Sequence, residues 1–103
     1  MTEDDSMFSN LARLQLSVLL AFVAEMTGNM AGILASLADT KITLSVYFFA
    51  TPSDSDREHV EVASTEILAD YPESFTLDST CKLISELKDL RLPWLYLRAE
   101  ARR

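Results

Sequence analysis

ITLSVYFFATPSDSDREHVEVASTEILADYPE, residues 42–73, changes its period halfway along, and that change sets the fold class. In its first part the side chains alternate. Ile42, Leu44, Val46 and Phe48 share one face, and Thr43, Ser45, Tyr47 and Phe49 the other, which is the pattern of a strand with one buried side. Thr51-Pro52-Ser53-Asp54-Ser55-Asp56 breaks the strand and offers hydroxyls and carboxylates for capping, with Ser55 and Glu58 at capping-box spacing. From there Val60, Ala63, Ile67 and Tyr71 recur at helical intervals, and Tyr71-Pro72 marks the stop, because a residue before proline disfavours helical geometry.

Upstream, Phe8, Leu11, Leu14, Val18, Leu19, Phe22 and Met26 predict an amphipathic helix over 8–26, with Gly28-Asn29 as its stop. Leu16, Leu20 and Val23 widen its apolar face, so this helix is expected to be covered on more than one side, by the domain or by a partner. Residues 30–38 read as the first arm of a hairpin with Ile42 to Ala50. Their Ala31, Gly32 and Ala35 are weak strand material, and a helical extension is the alternative.

Downstream, Ser74 to Leu83 predicts a strand burying Phe75, Leu77 and Cys81, and Trp94 to Leu97 a closing strand after Pro93. The expected fold is α+β: two helices on one mainly antiparallel four-stranded sheet, in the order α-β-β-α-β-β. Residues 1–6 are expected to be a polar tail and residues 7–103 a single domain, a usual size for a chain of 103 residues.

Composition narrows the function. Cys81 is the sole cysteine, so neither an intrachain disulfide nor a cysteine-based metal site is available, and a reducing compartment is expected. The acidic Met-Thr-Glu-Asp-Asp start is unlike a secretory signal. The uncharged stretch Leu14 to Ala24 covers 11 residues, against roughly 20 for a membrane span.

The two glycines cannot form a phosphate-cradling loop, so no nucleotide cofactor is expected. His59 lies in the first turns of the acidic helix, where exposure and pairing with carboxylates are expected, and Cys81 lies in a strand where a buried inert thiol is the usual case. Neither an enzyme nor a metal site is expected.

The net charge of −7 is unevenly spread: residues 54–78 hold eight acids against Arg57 alone, whereas residues 79–103 are net basic. An acidic pole of this kind repels nucleic acid and anionic membranes and attracts cationic partners. Acids in a first helical turn also complement the helix dipole, and that role alone accounts for some of them. Tyr47, Phe49, Tyr71 and Trp94 are the candidate aromatic anchors, with core packing the competing fate of each.

Residues 42–73, together with LPWLYLRAE at 92–100, resemble the small bacterial immunity proteins of contact-dependent growth inhibition systems. That resemblance implies a cytoplasmic protein, monomeric and forming a 1:1 complex, that neutralises the carboxy-terminal toxin domain of a delivered effector, often a nuclease. A nuclease carries a basic cleft, which an acidic protein can occupy or cover. The contact residues it implies are Asp54, Asp56, Glu58, Glu61, Glu66, Asp70 and Glu73. The rival reading is a small acidic secretion chaperone, a dimer holding an extended effector segment.

Overall fold

The computed structural model describes residues 3–102, with side chains described for residues 10–101. Met1 and Thr2, part of the expected tail, lie outside the described residues, as does the side chain of Phe8. Helix α1 runs Glu3–Phe22, strand β1 Met30–Ala38, β2 Lys41–Phe48, helix α2 Asp54–Ala69, β3 Thr76–Leu83 and β4 Tyr96–Leu97. A short 3-10 turn follows β3 at Ile84–Glu86 and another follows β4 at Ala99–Arg102.

The alternation of β2 places Ile42, Leu44, Val46 and Phe48 against the helices, and all four are fully buried. They form one core with Leu14, Val18, Ala21 and Phe22 of α1, Ile33 of β1, and Val60, Ala63 and Ile67 of α2. Burying a side chain of this size contributes about 1.5–3 kcal/mol, so this face of the sheet supplies most of the drive to fold. Residues 30–38 are a strand, which settles the alternative left open by their composition. The hairpin closes through Asp39 and Thr40, with Asp39 at φ 54°, a left-handed conformation that Asp tolerates better than most residues.

The sheet departs from the mainly antiparallel arrangement expected. It is mixed, in spatial order β3-β2-β1-β4, and β2 and β3 are parallel from Lys41↔Thr76 to Phe48↔Leu83. The cause is α2 itself, which carries the chain back along the sheet so that β3 starts level with β2. Thr76 N–H donates to the Thr40 carbonyl at 2.9 Å and fixes that start.

Two other boundaries move. Helix α1 ends six residues before Gly28, and Asn29 serves not as its stop but as a clamp, its side-chain amide bonding both the N–H and the carbonyl of Ala50 at 2.9 Å. The closing strand is only Tyr96–Leu97, because Trp94 leaves the strand path and folds onto the sheet's second face.

There Trp94 meets Tyr47 edge to face, with ring centroids 5.2 Å apart, and its indole N–H donates to the Leu90 carbonyl at 2.8 Å. Beneath it lies Gly32, the cross-strand partner of Tyr47, where an added Cβ would come within 2.6 Å of the indole. This close approach explains a glycine in a central strand. Gly32→Val is expected to cost about 1–3 kcal/mol, as overpacking does, and to alter Trp94 fluorescence in the folded state. Chemical denaturation followed by that fluorescence measures both; an unchanged midpoint and spectrum would refute the contact.

Candidate functional site

The acidic segment begins at the cap of α2. Ser53, not Ser55, is the N-cap, and its box partner is Asp56, not Glu58: the Asp56 N–H donates to Ser53 Oγ and the Ser53 N–H to Asp56 Oδ2, each at 3.0 Å. The nearby Ser55/Glu58 pair has the same spacing. Ser53/Asp56 prevails because the Asp56 carboxylate finds two further donors across the fold, Thr27 Oγ1 at 2.8 Å and Asn29 Nδ2 at 3.1 Å. At 8% exposure, Asp56 is buried. Burial pushes its pKa up, but hydrogen bonds from the Ser53 backbone, Thr27, Asn29 and the Ser53 side chain outweigh that and hold it below its ordinary value.

Asp70 is also committed to the fold. It caps the C-terminus of α2, accepts from Ser17 Oγ at 2.5 Å through its carboxylate, and accepts from Arg13 Nη2 at 2.9 Å through its carbonyl. The same Arg13 guanidinium lies 5.3 Å from the centre of the Tyr71 ring. At the other end of the helix pair, His59 Nδ1 lies 3.0 Å from Glu25 Oε1. These links set α1 and α2 side by side with a polar seam.

The structure therefore divides the seven acids singled out from the sequence. Asp56 and Asp70 hold the helices in place. Asp54, Glu58, Glu61, Glu66 and Glu73 are exposed, and among the described residues their carboxylates take no part in any hydrogen bond or ion pair. Asp54, Glu58 and Glu61 follow one another at intervals of four and three, which puts them in one outward row continued by Thr65. Glu66 stands on the shoulder toward α1, four residues before Asp70, and Glu73 follows the helix. Like charges at this spacing repel modestly, so beyond the favourable place of Asp54 in the first helical turn the fold gains nothing from the row.

Sequence reasoning missed Thr27 and Asn29, whose role depends on contacts 27 to 29 residues distant. Of the four candidate anchors, Tyr47 is buried under Trp94 and Tyr71 packs on Phe75, while Phe49 is exposed at the end of β2. Burial pushes the Cys81 thiol pKa up; Arg57 opposes the shift, and Asp56 and Glu61 add to it. Among the described residues no three His, Cys, Asp or Glu side chains come together to hold a metal ion. No helix in that range is long and apolar enough to cross a membrane.

Among curated proteins none matches the chain. A family model does: that of the MafI2 immunity protein, over residues 12–100, from within α1 to beyond β4. All four strands and α2 fall inside the matched region, along with every one of the seven acids. The chain thus belongs to the MafI2 immunity protein family.

Proposed function

We propose that this immunity protein binds a cationic toxin domain through the carboxylate row of α2 and Glu73, and neutralises it by covering its substrate cleft. The observation that supports this reading is the split among the acids. Those the fold uses are bonded, and five on one side are left exposed with no partner among the described residues. Such a row raises the rate of encounter with a positive surface and rejects partners of like sign.

A nuclease is the toxin class that suits it best, since a cleft for nucleic acid must be basic. The toxin domain lies at the carboxy terminus of an effector delivered by contact-dependent growth inhibition. The complex is 1:1, forms in the cytoplasm and involves no catalysis by the immunity protein.

The test is to find whether a gene beside this one encodes an exported protein ending in a toxin domain, and to produce that domain, with and without the chain, in the same cells. Survival only with the chain, and co-purification of a 1:1 complex with the folded toxin domain, are expected. Continued killing, or a dimer that ignores the folded domain and holds an unfolded segment, would overturn the reading; the latter would place the chain with secretion chaperones.

A further inference from the structure

We infer that the surface for the toxin is composite: the outward row Leu16, Leu19 and Leu20 of α1, with Val23 in the turn that follows, is the apolar anchor of the interface whose charged flank is α2. This rests on the function proposed above and adds to it the part of the surface that retains the partner after encounter.

The four side chains are exposed by 59%, 43%, 62% and 77%. Leu16, Leu19 and Leu20, at intervals of three and one, form a single stripe near the end of α1, opposite the buried stripe of Leu14, Val18, Ala21 and Phe22, and Val23 follows in the turn after the helix. Single exposed leucines are ordinary on a protein surface, but a contiguous apolar ridge marks an interaction site. The helix is apolar on both sides, and the domain covers only one of them.

The ridge adjoins the acids. Arg13 and Ser17 of α1 reach Asp70, and Glu25, in the turn after α1, reaches His59, so α1 and α2 lie side by side. By helical spacing Leu20, three residues after Ser17, lies on the α2 side of α1. Val62, three residues after His59 and 45% exposed, lies with Glu66 on the α1 side of α2. The ridge thus borders Val62 and Glu66, with the row Asp54, Glu58 and Glu61 beyond them on α2.

Charge decides what covers it. A second copy would bring a net −7 against another −7. Four ridge residues fall well short of the roughly 20–30 residues a side of a stable interface, so a homodimer would have to recruit like-charged flanks. An anionic membrane is repelled by the same acids. A basic protein with an apolar spot beside its positive cleft satisfies both halves: the ridge is desolvated at the centre and the carboxylates form a complementary rim.

The probe is the toxin domain identified by the test above, inactivated at its catalytic site, and the variant is L16A/L20A/V23A in the 103-residue chain. Alanine keeps helix propensity, and the removed atoms are solvent-exposed, so the thermal midpoint is expected to hold. Single L20A serves as the second variant should the triple variant lose its fold. The triple variant is expected to dissociate at least about 100-fold faster, and L20A about tenfold faster, with the salt dependence of association unchanged. Dissociation at the unmodified rate in both variants would overturn the anchor while leaving the proposed function standing. So would sedimentation of the unmodified chain as a dimer that the triple variant abolishes. Failure of the unmodified chain to bind the toxin domain would overturn the proposed function, and the anchor with it.

Discussion

Replacing Asp56 by alanine is expected to lower folding stability by about 2–4 kcal/mol, measured by urea denaturation followed by circular dichroism. The carboxylate accepts from Thr27, Asn29 and the Ser53 backbone, and its removal strands those donors in a part-buried site while deleting one half of the α2 cap. Asp56→Asn keeps the shape and one acceptor, so a smaller loss of about 1–2 kcal/mol is expected. The pKa of Asp56 lies below its ordinary 3.8, so its contribution is present above that value and is lost as pH falls through the folded-state pKa. Stability attributable to Asp56 is therefore level from neutral pH down to about pH 5 and declines below about pH 4. Asp56→Asn removes that part of the decline. A change under about 0.5 kcal/mol in the alanine variant would return Asp56 to the pool of free surface acids.

Reversing the exposed row, Asp54, Glu58 and Glu61, together with Glu66 on its shoulder, to lysine is expected to slow association with the inactivated toxin domain on the order of 100-fold at low salt. All four are exposed, so folding is expected to change little; Asp54 is the exception, where lysine in the first helical turn costs about 0.3–1 kcal/mol against the dipole. The control for net charge is a matched pair: reversing Asp78 and Glu100, exposed acids away from α2, is expected to slow association much less than reversing Glu58 and Glu61. Equal slowing by both pairs would mean that total charge, not the row, governs encounter. No slowing by the fourfold reversal would remove α2 from the interface.

What could be read from the sequence followed periodicity, and what could not depended on contacts distant along the chain. The alternation of residues 42–49 and the stripe Val60, Ala63, Ile67 placed β2 and α2 and identified their buried faces, because local spacing determines which side chains share a side. The parallel pairing of β3 is written in the strand-helix-strand order, since a helix of 16 residues returns the chain to where β2 began, yet no residue of β3 alone announces it. Residues 30–38 looked weak as a strand because Gly32 answers to Trp94, 62 positions away.

The site shows the same division. The acidic segment was visible as composition, but the sequence could not separate Asp56 and Asp70 from the rest. That separation comes from Thr27, Asn29, Ser17 and Arg13, on α1 and the loop after it. The excess apolar width of α1 did register in Leu16, Leu20 and Val23, whose helical spacing left them no place in the core.

The most direct measurement of recognition by the α2 carboxylates is the association rate of the unmodified chain with the inactivated toxin domain, from about 0.1 M to about 1 M salt, as the screening length shrinks from about 10 Å to about 3 Å. A fall of at least about tenfold, with a much smaller change in dissociation rate, is the expected result. An association rate flat across that range would contradict the claim.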